Sequence, residues 1–87
     1  VDYALIVFAN THYAMTAQKT LGGKLPVVIM PTLREISKSC GISVRVAEGD
    51  WQAASQILRE SGMDHTMYQI YSVQGKDGVN TVALLEG

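Results

Sequence analysis

Tyr3–Ala9, reading YALIVFA, constrains this chain more than any other segment. As a strand it has no polar face to turn toward water, since Tyr3, Leu5, Val7 and Ala9 fall on one side and Ala4, Ile6 and Phe8 on the other. Both sides need apolar cover. The run is rich in β-branched and aromatic residues and stops at Asn10-Thr11, two favoured helix N-cap residues, so a strand leading directly into a helix is expected. It is too short to span a bilayer or to form a signal-peptide core, and no other uncharged apolar stretch is longer.

The remaining punctuation sets the order of elements. Ala14, Ala17 and Leu21 recur at helical spacing until Gly22-Gly23 ends the pattern, giving a first helix over Thr11–Leu21. Pro26–Met30 reads as a second strand. Pro31–Gly41, PTLREISKSCG, is a long polar connection with room for one helical turn around Leu33–Ile36. Ile42–Ala47 alternates as a half-buried strand, with Ile42, Val44 and Val46 on one face and Ser43 and Arg45 on the other. Asp50 offers an N-cap for a second helix over Trp51–Ser61, striped by Ala54, Ile57, Leu58 and Ser61 and stopped by Gly62. Thr66–Val73 is a fourth strand, and Lys76-Asp77-Gly78 a hairpin turn into a further strand over Asn80–Leu85. Trp51 and the methionines fit core or interface packing.

Strand, helix, strand, strand, helix, strand is the order of an α+β, ferredoxin-like split βαβ sandwich, with an antiparallel sheet and two helices on one face. Its sheet order would be four, one, three, two, making the second strand an edge. We expect a domain over residues 1–74 and a C-terminal extension over 75–87, either a hairpin strand or a tail packed on the same domain. Helices cover one side of a sheet, so the doubly apolar strands call for a C-terminal tail or a second subunit on the other, and a homodimer is expected.

Composition narrows the function. Lys plus Arg number 7 against 8 Asp plus Glu, for a net charge of −1 without charge runs, which argues against nucleic acid or an anionic membrane as partner. A cytoplasmic location is expected. The single cysteine, Cys40, excludes an internal disulfide and a multi-thiolate zinc site, so no metal or resident cofactor is expected.

In the expected fold the turn after strand one, the connection between strands two and three and the turn before strand four share one end of the sheet. His12, Cys40 and His65 would meet there. Cys40 would lie near the first helix's N-terminus, whose backbone N–H groups and dipole stabilise a thiolate and draw its pKa below the free value of about 8.5. Arg34 and Lys38 add positive charge from the same loop, while Gly41 permits close backbone approach or simply stops a helix. Cys40 as a small buried apolar residue is the other reading. His12 is a candidate for proton transfer or a plain surface histidine, His65 a solvated turn residue, and Arg34-Glu35 an anion grip or an exposed charged turn.

Asn10-Thr11-His12-Tyr13-Ala14, followed by Met30-Pro31-Thr32, Arg34-Glu35-Ile36-Ser37 and Ser39-Cys40-Gly41, resembles the small bacterial selenium/sulfur carrier-like family, formerly a domain of unknown function. The resemblance covers about residues 3–72, and PT-x-REIS-x-SCG is its most specific part. The chain departs from the family pattern at Leu33, where a second proline is usual, and at Lys38, where a small residue is common. The resemblance implies a carrier rather than a stand-alone enzyme. Cys40 would hold transiently bound sulfur or selenium as a persulfide or selenenyl sulfide. It would take the atom from a cysteine desulfurase or selenium donor and hand it to an acceptor protein. Arg34, Lys38, Ser39, Gly41 and Thr11 would surround the bound atom, with His12 assisting proton movement. The alternative is a non-catalytic regulatory or assembly module that binds a small ligand or partner protein through the same loop. One-cysteine peroxide reduction is a third reading.

Overall fold

A computed structural model of the chain describes residues 3–33, 36 and 41–86. Its elements are β1 (Tyr3–Phe8), α1 (Thr11–Gly22), β2 (Val27–Pro31), β3 (Ile42–Val46), α2 (Trp51–Glu60), β4 (Tyr68–Lys76) and β5 (Val79–Glu86), with short 3₁₀ turns over Glu48–Asp50 and His65–Met67. The strands form one antiparallel sheet in the order β2-β3-β1-β4-β5. This is the expected α+β arrangement with β2 at an edge, extended by a fifth strand.

Helix α1 begins where Asn10 Oδ1 accepts the Tyr13 N–H at 3.0 Å, an N-cap bond that satisfies one of the helix's otherwise unpaired donors. Its Ala14, Ala17 and Leu21 are buried against the sheet. Helix α2 starts differently from the sequence expectation. Asp50 makes no side-chain cap bond; its N–H instead donates to Ala47 O at 2.9 Å, closing the 3₁₀ turn that runs straight into the helix. At the other end Gly62 adopts φ +85°, the left-handed conformation that lets the chain leave α2 without a Cβ clash.

Both helices pack on one face. Ala4, Ile6 and Phe8 of β1, Val44 and Val46 of β3 and Ile70 of β4 form a core with Ala14, Ala17, Leu21, Ala54 and Leu58. The opposite face carries Leu5 and Val73, each 0% exposed without a helix above them. Larger neighbours shield them: Arg45 and Tyr71 flank Leu5 in register, Tyr3 stands beside Val73, and the Arg45 guanidinium lies 4.7 Å from the Tyr3 ring centroid.

The C-terminal segment is a strand and not a covering tail. Asp77 (φ 54°) and Gly78 (φ 77°) both take positive φ, the backbone a tight two-residue hairpin of this hand requires. They return β5 alongside β4, so β5 does not cover the second sheet face. Near the end of β5 the register shifts: Tyr71 faces Leu84 while Ile70 faces Glu86, leaving Leu85 as an extra residue. That bulge turns Glu86 to the helix side, where it accepts a hydrogen bond from Ser55 Oγ and pairs with Arg59 at 3.0 Å. A carboxylate is thereby kept off the apolar face, and β5 is tied to α2.

Two substitutions separate these contributions. Ile6→Ala, in the fully buried centre, is expected to cost about 2–5 kcal/mol by urea denaturation. Glu86→Ala, which removes a half-exposed ion pair and one hydrogen bond, is expected to cost about 1–2 kcal/mol.

Candidate functional site

The end of the sheet where β1 and β2 finish and β3 and β4 begin gathers most of the singled-out residues. The connection between β2 and β3 is closed at its base by two bonds. Thr32 N–H donates to Gly41 O at 3.0 Å, and Thr32 Oγ1 shares a 2.6 Å hydrogen bond with Ser43 Oγ. Within it, Ile36 N–H donates to Leu33 O at 3.0 Å, a single turn where one was expected. Cys40, Arg34, Lys38 and Ser39 lie outside the described residues. Cys40 immediately precedes Gly41, one of the two residues that close the base.

Ser43 alternates in sequence as a solvent-side residue, yet it is 0% exposed. Burial of a hydroxyl is tolerable because Thr32 satisfies it. Gly41 acts through close approach: a Cβ there would stand 3.3 Å from Thr32 Oγ1, and its φ is not in the left-handed region. The absence of a side chain at residue 41 lets the two edges of the connection touch without displacing Thr32.

Thr11 and Gly41, both expected at the site, line one apolar cleft of about 480 Å³ with Ile29, Met30, Pro31 and Ile42. The N-terminus of α1 therefore opens onto the base of the Cys40 connection. No acidic residue occupies the first turn of α1, so its partial positive charge is uncompensated there. His12, one residue further on, lines a different depression with Tyr13, Thr16, Ser61 and Met63, and its ring meets that of Tyr13 edge-on at 5.9 Å. His65 lies in the 3₁₀ turn before β4. Among the described residues no cluster of His, Cys, Asp and Glu forms a metal-ligand set.

Two features at this end escaped the sequence reading. Asp64 caps the turn that carries His65, accepting from Thr66 N–H at 2.9 Å and from Thr66 Oγ1 at 2.8 Å; the Asp-x-Thr spacing was a legible signal. Tyr68, which packs on Phe8 with ring centroids 6.1 Å apart, buries its hydroxyl with no hydrogen-bond partner among the described residues. A tyrosine in an apolar strand carries no sequence mark of that.

Comparison with known proteins agrees with the motif. Residues 2–70 match the family described as "Putative Se/S carrier protein-like", and the chain belongs to that family. The match includes the whole β2–β3 connection and ends inside β4, so β5 and its hairpin lie beyond it. No curated protein and no solved structure matches. No helix among the described residues is long and apolar enough to cross a membrane.

Gly41→Ala tests the closure. The smaller unfolded-state entropy of Ala favours the variant by about 0.4–1 kcal/mol, whereas loosening a bond to a buried hydroxyl costs about 1–3 kcal/mol. Net destabilisation of about 1 kcal/mol in urea is therefore expected, and a stabilised variant would show that Thr32 gives way freely.

The Asp64 cap has a pH signature. The Thr66 backbone and hydroxyl bonds, with a lesser contribution from His65, hold the Asp64 carboxyl below its ordinary value of 3.8. A depressed folded pKa means the cap's contribution is full above the unfolded value and disappears as pH falls through the folded one. The Thr66 amide resonance, followed by NMR through an acid titration, should move with a midpoint below 3.8.

Proposed function

We propose that this protein carries a single sulfur or selenium atom on Cys40, between a donor enzyme and an acceptor protein in the cytoplasm. The observation that carries this reading is the family match, whose span of residues 2–70 includes the chain's one cysteine. The closed base of the connection supports it, because Thr32, Gly41 and Ser43 anchor the residue next to Cys40 beside the α1 N-terminus.

The chemistry needs one thiolate and no external oxidant. The Cys40 thiolate attacks the terminal sulfur of a cysteine persulfide on a donor such as a cysteine desulfurase. The donor's S–S bond breaks, its cysteine leaves as a thiolate, and a persulfide forms on Cys40. A nucleophile on the acceptor then takes the terminal sulfur and regenerates the Cys40 thiolate. With a selenium donor the same exchange leaves a selenenyl sulfide. In this reading Arg34 and Lys38 offset the charge of the bound anion, Thr11, Ser39 and Gly41 border it, and His12 moves the proton. With no second cysteine in the chain, the cargo is not expelled by an internal disulfide.

Incubation with a persulfide donor, followed by intact-mass spectrometry, is expected to add one sulfur atom that reductant removes. Cys40→Ala should take up none while keeping the native circular dichroism. Labile sulfur retained by Cys40→Ala would refute the assignment, as would a Cys40 thiol that reacts with iodoacetamide only after the protein is unfolded.

A further inference from the structure

The sheet face without helices is self-complementary, and we infer that two copies of this chain pack face to face through it, about a two-fold axis close to the direction of β1. The evidence lies in the cross-strand register. One row across the face reads Val28, Arg45, Leu5, Tyr71, Leu84, from β2 to β5. Leu5 on β1 is its midpoint. An in-plane axis along β1 sets each position of one copy against the mirror position of the other.

Arg45 then stands over the partner's Tyr71 and Val28 meets the partner's Leu84, on either side of an axis that passes above the fully buried Leu5. Val28 and Leu84 are 58% and 56% exposed, among the most exposed large apolar side chains of the chain. The pairing removes both from water. Arg45 already lies against its own Tyr3 ring, and a second aromatic face from the other copy suits its planar cation. In the next row, Met30, Ser43, Val7, Gln69, the partly exposed Val7 falls on Val7 by the same symmetry. An axis running across the strands through the first row would instead stack Arg45 on Arg45. Electrostatic complementarity therefore selects the direction of the axis.

Five strands at ~4.8 Å spacing and about six residues at ~3.3 Å give a footprint of roughly 475 Å² per copy, about 950 Å² for the pair, the size of a small, reversible interface. β5 does not cover this face, since it is committed to the edge of β4 and its Glu86 to α2. The Leu85 bulge, by turning Glu86 away, also leaves Arg45 as the only charged group among the residues of the two rows.

Sedimentation equilibrium of the full chain should return twice the mass of one copy, and Val28→Lys or Leu84→Lys should return the single mass with unchanged circular dichroism. A wild-type protein that stays at the single mass overturns the inference and leaves the face to a different partner. The axis is tested in a Cys40→Ala background by mixing a Val28→Cys chain with a Leu84→Cys chain under diamide. Expected is a disulfide between the two different chains, with little in either chain alone. A disulfide of Val28→Cys with itself, formed as readily, would place the axis across the strands and refute the proposed arrangement.

Discussion

Strand β1 hydrogen-bonds along both edges, to β3 and to β4, while its side chains are apolar on both faces. One face is satisfied inside the chain by α1 and α2 through Ala4, Ile6 and Phe8. On the other, Leu5 is wholly screened by its neighbours and Val7 only in part. Every other feature of the fold accommodates this central strand: the helices lie on one side, the fifth strand lengthens the sheet without covering it, and the polar connections are pushed to the ends. A strand apolar on one face only would not have needed the Arg45–Tyr3 stack.

The same strand positions the candidate site. Because Val7 is in register with Ser43 and Phe8 with Tyr68, the end of β1 fixes where β3 and β4 begin. Ser43, buried by that pairing, must have its hydroxyl satisfied, and Thr32 supplies the bond. A Cβ at residue 41 would press on Thr32 Oγ1 at 3.3 Å, so glycine there spares Thr32 a small displacement. A chain of physical requirements thus runs from an apolar strand in the middle of the sheet to the glycine next to the cysteine. It gives the glycine of the S-C-G part of the motif a packing role independent of the chemistry of sulfur.

The order of elements was legible because each strand and helix is bounded by residues with strong local preferences: Asn10, Gly22-Gly23, Gly41, Gly62 and Asp77-Gly78. The alternation of β3 and the apolar stripes of both helices were legible for the same reason, since periodicity of 2 and 3.6 residues reports directly on one-sided burial. Three things were not. Asp50 has the identity of a cap but sits in a 3₁₀ turn whose own backbone bonds displace that role. The Leu85 bulge depends on Glu86 finding Ser55 and Arg59 some thirty positions away, which local spacing does not encode. Whether the C-terminal segment lies beside the sheet or over it is decided by the positive φ of Asp77 and Gly78. A hairpin was legible in Asp-Gly; a tail was left open only because an open apolar face called for a cover. At the candidate site the reading brought Thr11 and Gly41 together as the structure does, while His12 faces the depression bordered by Ser61 and Met63 instead.

Carriage and assembly would use adjoining surfaces. The connection closed by Thr32 and Gly41 stands at the end of the sheet and the rows centred on Leu5 and Val7 occupy its face, with Met30 and Ser43 common to both. The direction of the symmetry axis then has a consequence for transfer. A two-fold along β1 preserves the sense of every strand, so the ends of β2 and the beginnings of β3 in both copies point the same way. Two connections bearing Cys40 would be presented side by side at one end of the dimer. An axis across the strands would send them to opposite ends, where one donor could not reach both. In the inferred dimer, the pairing of Arg45 with Tyr71 and of Val28 with Leu84 would thus also determine whether a donor meets one Cys40 thiol at a time or two together.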